Sequence, residues 1–123
     1  MSERVFAVFD IGTTGTRSVL VDEEGRELGK AYEEYPPTPR ELSPHEQLAD
    51  TFWRAASTTM QRAISDYEPG SQVIDAVVMA TARDCITPID KNGKSLAPTA
   101  TWTDPRASER KEELAEIVGP RRS

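Results

Sequence analysis

The first residues that could do chemistry flank a glycine- and threonine-rich segment near the amino terminus. An apolar run ends in Asp10, a Gly-Thr-Thr-Gly-Thr-Arg segment follows, and a second apolar run begins after it. Glycines permit a tight turn whose successive N–H groups form an anion-binding concavity. Threonine hydroxyls and a guanidinium add donors suited to phosphate oxygens. We therefore expect a β-hairpin whose tip binds phosphate through Gly12, Thr13, Thr14, Gly15, Thr16 and Arg17.

Asp10 is the candidate metal residue of this hairpin. A carboxylate beside phosphates is suited to hold Mg²⁺ or its water shell, since Mg²⁺ keeps several waters and takes few protein ligands. The segment lacks the Gly-Lys-Ser/Thr of a P-loop, and a strand rather than a helix follows the glycines, unlike a dinucleotide-binding fingerprint. The local pattern alone leaves an ordinary hairpin open, in which Asp10 bonds its own backbone.

Size and composition exclude several classes of protein. The chain has 123 residues, enough for one modest domain over residues 1–123. A net charge of −6 with scattered acids disfavours nucleic-acid binding. A single cysteine, Cys85, and a single histidine, His45, exclude an intrachain disulfide and cysteine- or histidine-rich metal sites. We also expect a cytoplasmic protein that does not bind membranes, since neither a signal-peptide pattern nor an apolar run of transmembrane length is present.

The elements that must position these residues follow the order β-β-β-α-β, with further β and α segments. Strands are predicted over 4–10, 16–22 and 26–34, joined by short turns as an antiparallel meander. Ser43 and Glu46 predict a helix start with a capping box, and His45 in its first turn is expected to be exposed and without a role. A nearly continuous apolar run over 73–80 is typical of a central strand that is buried on both faces. Further predicted elements are a strand over 86–89, a turn over 90–93, an extended piece over 97–102 and an amphipathic helix over 109–118.

Three segments together resemble the FGGY family of carbohydrate kinases. The segment from Asp10 to Arg17 looks like that family's opening phosphate motif. Residues 90–98, Asp-Lys-Asn-Gly-Lys-Ser-Leu-Ala-Pro, resemble its Asp-x-x-Gly-x-x-Leu-x-Pro hairpin. Trp102, Asp104 and Arg106 resemble the Trp-x-Asp-x-Arg segment that follows. Since order and spacing also match, the chain is identified as similar to this family over almost its whole length.

The resemblance implies an α/β fold of the RNase H-like type shared by actin and hexokinase, with a mixed five-stranded sheet flanked by helices. It implies transfer of the γ-phosphate of ATP to a hydroxyl of a ketose or polyol, with ATP and Mg²⁺ as cofactors. In such kinases Asp10 helps to place Mg²⁺ and the 12–17 turn meets the ATP phosphates. The implied substrate-binding residues are Arg83, Asp84, Trp102 and Asp104.

The chemistry of these substrate residues agrees with the implied role. A guanidinium donates to neighbouring hydroxyls, a carboxylate accepts from them, and an aromatic face covers the C–H side of a polyol. Other readings stay open: Arg83 and Asp84 as an ion pair at a strand end, Trp102 as a core residue, and Asp104 as a helix N-cap. Glycerol kinases carry Arg-Glu where this chain has Arg83-Asp84, and many ketose kinases carry a Gly-Gln-Met-His type of segment there.

No catalytic residue is expected within this chain. Phosphoryl transfer needs a group that orients the attacking hydroxyl, and in this family that aspartate lies far downstream. We therefore expect an N-terminal part of a kinase, inactive alone, with exposed apolar surface that drives homo-oligomerisation, in the simplest case to a dimer. The alternative is a non-catalytic sugar- or nucleotide-binding module of the same fold. A nuclease of this fold ranks last, since it needs several carboxylates around metal ions.

Overall fold

The computed structural model describes residues 4–67 and 74–119, which form two sheets and two α-helices. The predicted end of the first helix near Gly70 lies outside the described residues, as does Val73 at the start of the predicted fourth strand. The elements are β1 Val5–Ile11, β2 Gly15–Asp22, β3 Glu27–Glu34, β4 Glu46–Gln47, α1 Ala49–Asp66, β5 Ile74–Thr81, β6 Thr99–Ala100, a 3₁₀ turn Ser108–Arg110 and α2 Lys111–Val118.

The main sheet is mixed and its described part has four strands in the order β3-β2-β1-β5. β1 and β2 pair antiparallel, β2 and β3 pair antiparallel, and β5 adds to β1 in parallel. The meander predicted from the alternating strands and short turns is confirmed. The described residues supply four of the five strands that the family resemblance implies, and a second sheet pairs β4 with β6.

One face of the sheet is covered by α1. The core consists of small and medium apolar side chains: Val5, Ala7, Leu20, Met60 and Ala63. The helix lies very close to β3 at Gly29, where a Cβ would stand 2.1 Å from the carbonyl oxygen of Ala63. Ser18 and Thr59 share a buried hydroxyl–hydroxyl hydrogen bond of 2.7 Å across the same interface. Close packing thus fixes the position of α1 on the sheet. It also fixes the position of β2, which carries Ser18.

β5 differs from its prediction, because its apolar sequence is typical of a buried strand but all eight of its residues are exposed. In the described structure only its β1 side is paired. Val77 and Met79 are each 61% exposed, and Val78 is 51% exposed. The central, two-sided placement predicted for this strand is therefore wrong for the described chain, since no described element covers its free edge.

The start of α1 also differs from its prediction. The predicted contact forms, since the Ser43 N–H donates to a Glu46 carboxylate oxygen at 3.1 Å. The helix nevertheless begins at Ala49, with Leu48 as N-cap and no side-chain cap. Glu46 and Gln47 instead pair with β6, in the register Glu46–Ala100 and Gln47–Thr99. Long-range strand pairing therefore takes the residues that local capping chemistry assigns to the first helical turn.

Most of the described residues in the carboxyl-terminal half are exposed. The turn predicted over 90–93 forms, with Gly93 at φ +80° and the Asp90 carboxylate accepting from two backbone N–H groups. The predicted second helix forms as α2, but its apolar side chains are exposed, Ile117 at 75% and Val118 at 80%. None of the described helices combines the length and apolarity needed to cross a membrane.

Candidate functional site

The candidate site lies where β1 and β5 end side by side. The two strands run parallel with Ile11 opposite Thr81, and the Ala82 N–H donates to the Ile11 carbonyl at 2.8 Å. Loops that follow neighbouring parallel strands meet at one edge of a sheet, where ligands bind in open α/β folds. The 12–15 turn follows β1 and the Arg83-Asp84 segment follows β5, so this topology brings together two segments about 70 residues apart in sequence.

The turn is tight and requires glycine at position 15. The Gly12 N–H donates to the Gly15 carbonyl at 3.0 Å. A Cβ on Gly15 would stand 2.5 Å from both the Glu33 carbonyl oxygen and the Tyr32 hydroxyl. Thr13 and Thr14 at the tip are exposed. The outer surface of the turn thus offers two hydroxyls next to a close-packed backbone, a donor set that fits phosphate oxygens.

Thr16 differs from its prediction, because its side chain is fully buried. Its hydroxyl lies 2.8 Å from the Tyr35 hydroxyl, which in turn donates to the Gly12 carbonyl at 3.0 Å. Because a phenol has one proton, Thr16 must donate to Tyr35. A direct contact between the Thr16 hydroxyl and a bound phosphate is therefore wrong for this structure, and Thr16 instead supports the turn from its inner side.

Asp10 and Arg17 are cross-strand neighbours on the sheet face opposite α1. The register pairs them directly, and the strand alternation places them opposite to the buried Thr16 and Ser18. Both are exposed. The Arg17 guanidinium carbon lies 5.7 Å from the centroid of the Tyr32 ring, within the range of a cation–π contact. One acidic and one basic side chain thus stand together below the turn, and a carboxylate there fits the water shell of Mg²⁺.

Trp102 forms the opposite wall of the site and touches the turn directly. Its indole Nε1 donates to the Thr13 hydroxyl at 2.9 Å. An open concavity of about 270 Å³ lies between the walls, lined by Thr13, Ala82, Arg83, Asp84 and Trp102. The indole is 60% exposed, so core packing does not account for Trp102 within the described structure.

Arg83 and Asp84 line the same concavity as Trp102, in the loop that follows β5. Both are exposed, and in residues 4–67 and 74–119 no ion pair joins them, so the strand-end ion pair considered from sequence is not formed. Asp84 has φ +58°, a conformation that non-glycine residues adopt at some cost and that clusters at binding sites. Side chains that donate, accept and stack therefore surround one opening beside the turn.

Asp104 does not line this concavity but belongs to an ion cluster at its rim, in an adjoining depression of about 260 Å³ that Asp84 and Trp102 also line. Arg106 donates to both of its carboxylate oxygens and also reaches Glu46 at 2.7 Å. Hydrogen bonds from Arg106 lower the pKa of Asp104 to about 2 and lower that of Glu46 as well. The Asp104 carboxylate accepts from the Arg106 backbone N–H, whereas the helix begins only at Lys111, so the N-cap alternative is wrong. Asp104 is thus ionised and held in place.

Sequence reasoning missed two contributors to this arrangement. Tyr35, directly before Pro36, binds the turn through its hydroxyl and through its N–H, which donates to the Thr14 carbonyl at 2.9 Å. His45, expected to be exposed and without a role, is half-buried and its Nδ1 lies 3.0 Å from the Thr103 hydroxyl. The sequence signal available for Tyr35 was its place directly before Pro36, since a proline restricts the preceding residue to extended conformations. No local signal pointed to His45.

Two other features are less suited to the predicted chemistry. A larger depression of about 660 Å³ lies between the start of α1 and the 86–98 hairpin, but it shares no residue with the turn or with Trp102. Among the residues that the structure describes, no three acidic, histidine or cysteine side chains are grouped to hold a metal ion. The carboxylate cluster that a two-metal nuclease requires is therefore not formed by them.

Comparison with known proteins identifies the class to which this fold and site belong. The model of the FGGY family of carbohydrate kinases, N-terminal domain, matches residues 5–122. The chain therefore belongs to the FGGY family of carbohydrate kinases, and its fold is the actin- and hexokinase-like fold of that family's N-terminal domain.

Relatives of two named kinds are similar to the chain. A glycerol kinase of Synechocystis sp. is 33% identical over 100 residues, which cover 80% of this chain and 20% of the relative. A gluconokinase of Bacillus subtilis is 35% identical over 98 residues, covering 80% of this chain and 19% of the relative. The chain thus spans about a fifth of the length of these relatives.

Solved structures agree on the fold. A gluconate kinase from Lactobacillus acidophilus superposes with a TM-score of 0.78 at 19% identity, over 96% of this chain and 23% of that one. A Plasmodium falciparum glycerol kinase with ADP superposes with a TM-score of 0.78 at 21% identity, over 94% of this chain and 23% of that one. At these identities the superpositions establish the fold of the chain.

Proposed function

We propose that this chain is the part of an ATP-dependent carbohydrate kinase that meets the ATP phosphates on one wall and a sugar or polyol on the other. The kinase would transfer the γ-phosphate of ATP to a hydroxyl of a ketose or polyol. Membership of the FGGY family supports this class of reaction. The observation that carries the proposal is the hydrogen bond between Trp102 and Thr13, since it joins the two walls at one opening.

The phosphate wall is formed by the 12–15 turn. The turn's backbone and the exposed Thr13 and Thr14 hydroxyls would donate to phosphate oxygens, whose charge they offset. Mg²⁺, when bound with ATP, neutralises charge on the phosphates. Asp10 would accept from the water shell of that ion, and Arg17, now stacked on Tyr32, would donate to a phosphate oxygen.

The substrate wall is formed by the loops after β5 and β6. Arg83 would donate to substrate hydroxyls and Asp84 would accept from them, while the Trp102 ring would cover the C–H side of the carbon chain. Asp104 would add an ionised carboxylate at the rim, held there by Arg106. The same donor and acceptor set fits polyols and ketoses, so the proposal extends to that class and not to one sugar.

We further propose that the 123-residue chain binds its ligands but does not catalyse phosphoryl transfer by itself. Its length, about a fifth of the relatives it matches, supports this, and none of its residues is assigned as the base for the attacking hydroxyl. The test is a coupled ADP-release assay on the chain with Mg²⁺, ATP and a panel of glycerol, gluconate and ketoses. The expected result is no polyol-dependent release, with polyol-induced change in Trp102 fluorescence. Steady polyol-dependent release would contradict the inactivity of the chain.

A second candidate is a non-catalytic sugar- or nucleotide-binding module. It is favoured by the fact that both walls already meet within this chain, through Trp102 and Thr13. The two candidates differ when the reading frame is extended past Ser123. A kinase gains polyol-dependent turnover in the extended protein, whereas a binding module retains binding and gains none.

Self-association is the partner relationship that the described surface supports. Among residues 4–67 and 74–119, no strand pairs with the outer edge of β5, and its apolar side chains are exposed on both faces. An edge of this kind pairs readily with another strand. We propose a homodimer of the chain through this edge. A net charge of −6 disfavours nucleic acid as a partner, and a cytoplasmic location accords with a need for ATP.

A further inference from the structure

Tyr35 connects the turn to the body of the domain. It is only 9% exposed, and its ring packs edge-to-face on Phe52 of α1, with the centroids 5.1 Å apart and the planes at 81°. This geometry is a favourable one for aromatic pairs. The ring is thereby anchored on the helix that also covers the sheet, and its hydroxyl extends toward the inner side of the turn.

Three hydrogen bonds run from Tyr35 to the turn. Its hydroxyl donates to the Gly12 carbonyl and accepts from Thr16, while its N–H donates to the Thr14 carbonyl. These bonds reach the beginning and the middle of the 12–15 turn and the first residues of β2. None of them uses the hydroxyls of Thr13 and Thr14. The Thr14 hydroxyl, and the proton of the Thr13 hydroxyl that accepts from Trp102, are thus left to donate to a ligand.

We propose that Tyr35 is the positioning residue of the phosphate turn, holding Gly12, Thr14 and Thr16 from the inner side so that the outer donors are fixed before a ligand arrives. This inference rests on the proposed function, because it takes the turn to bind phosphate. Donors that are already ordered lose little conformational freedom on binding, which strengthens binding of the ligand. Tyr35 itself touches no ligand in this arrangement.

Thr59 provides a matched control. Its hydroxyl also donates to a backbone carbonyl, that of Ala55, and also lies against another hydroxyl, that of Ser18. Tyr35→Phe and Thr59→Val thus each remove one buried hydroxyl with the same two kinds of partner while keeping the shape of the side chain. Only the first removes a contact to the turn.

The first measurement is amide hydrogen exchange in the ligand-free, ¹⁵N-labelled chain. The Gly12 N–H is protected by its bond to Gly15 and therefore reports on closure of the turn. In Tyr35→Phe we expect it to exchange about tenfold faster than in the wild type, relative to amides in the middle of β2. In Thr59→Val the two sets of amides should change together. Equal behaviour of the two variants at Gly12 would overturn the proposal.

The second measurement is a titration with magnesium tripolyphosphate, followed at the amides of residues 12–16. Tyr35→Phe should weaken binding by about three- to tenfold, and Thr59→Val by less than twofold. Faster Gly12 exchange in Tyr35→Phe without any binding by the wild type would support the positioning role and overturn the phosphate assignment of the turn. If Tyr35→Phe does not fold, Thr16→Val removes a bond of the same cluster and should give the same pattern with a smaller change. An unchanged Gly12 exchange rate in that variant would then overturn the proposal.

Discussion

The Trp102 indole donates to the Thr13 hydroxyl at 2.9 Å, although the two residues lie 89 positions apart. Thr13 is at the tip of the hairpin between β1 and β2, and Trp102 follows β6, which belongs to the other sheet. Both sheets thus contribute to one opening. The contact links the geometry of the proposed phosphate wall to that of the proposed substrate wall.

Removing the acceptor should release the indole. Thr13→Val keeps the shape of the side chain but leaves the Trp102 N–H to water, and a hydrogen bond of this kind contributes about 0.5–1.5 kcal/mol. We expect the Trp102 indole ¹H–¹⁵N resonance to shift and its exchange with solvent to quicken. Binding of glycerol, followed through the same resonance, should weaken by up to about tenfold.

Trp53 supplies the internal reference for that experiment. It is the other of the chain's two tryptophans, lies on α1 and is 73% exposed. Trp53→Phe removes its indole signal, which assigns the remaining signal to Trp102. A Trp102 resonance that is identical in the wild type and in Thr13→Val would show that the two walls are not in contact in solution.

Gly15→Ala should destabilise the hairpin. The added Cβ would stand 2.5 Å from the Glu33 carbonyl oxygen, a backbone atom that cannot move without displacing β3. Forcing a methyl group into close packing costs roughly 1–3 kcal/mol. Urea unfolding followed by circular dichroism should show a lower midpoint by the corresponding amount.

Gly25→Ala is the control for Gly15→Ala. Gly25 has φ +79° but nothing within 4 Å of its would-be Cβ, so alanine there meets backbone strain without a clash. We expect a cost of about 1 kcal/mol from strain alone. A Gly15→Ala variant as stable as wild type, or less affected than Gly25→Ala, would contradict the packing described at the turn.

The sequence predicts the hairpin, but it predicts only in part which face of the sheet each side chain occupies. Apolar alternation and glycines predicted β1, the turn and β2. The sequence prediction gives both Thr16 and Arg17 a phosphate contact, yet the side chains of neighbouring residues on a strand point to opposite faces. The structure shows Thr16 buried under α1 and Arg17 exposed on the other face. Strand alternation alone could have separated the two assignments.

Other parts of the site depended on contacts distant in sequence. The Arg83-Asp84 segment reaches the turn only because β5 pairs in parallel with β1. α1 starts later than its capping signal because Glu46 is drawn into the pairing with β6. The apolar run of β5 correctly predicted a strand, but its exposure depends on what lies beside it. The local sequence pattern thus predicts the strands and the helices, whereas long-range strand pairing determines where they lie in the fold.

The pH dependence of the rim cluster follows from the pKa of Asp104. Hydrogen bonds from Arg106 lower that pKa from 3.8 to about 2. A carboxyl group whose pKa is depressed on folding stabilises the fold above its unfolded value, and this contribution is lost as the pH falls through the folded value. The Asp104–Arg106 contact should therefore weaken between about pH 4 and pH 2. The Asp104 carboxyl ¹³C resonance should titrate with a midpoint near 2.

Arg106→Gln tests the cause of that shift. With the guanidinium removed, the Asp104 midpoint should rise toward its ordinary value, and the pKa of Glu46 should rise with it, because Arg106 lowers both. Arg110→Gln is the control, since Arg110 pairs with Glu113 on the exposed α2 instead. If the Asp104 midpoint is the same in all three proteins, Arg106 does not hold this carboxylate.

The edge of β5 that no described strand covers predicts concentration-dependent association of the chain, which a single charge on β5 should suppress. Val78 lies in the middle of β5 and is 51% exposed, so a lysine there would put a charge on any strand-to-strand contact without disturbing the core. Natural sheets protect their edges from pairing in this way. Light scattering should give a mass that rises with concentration for the wild type and stays at the monomer value for Val78→Lys.

Trp53→Lys is the matched control, because it also replaces an exposed apolar side chain by lysine, but on α1. Association that persists in Val78→Lys and disappears in Trp53→Lys would place the contact on the helix and remove the β5 edge from the interface.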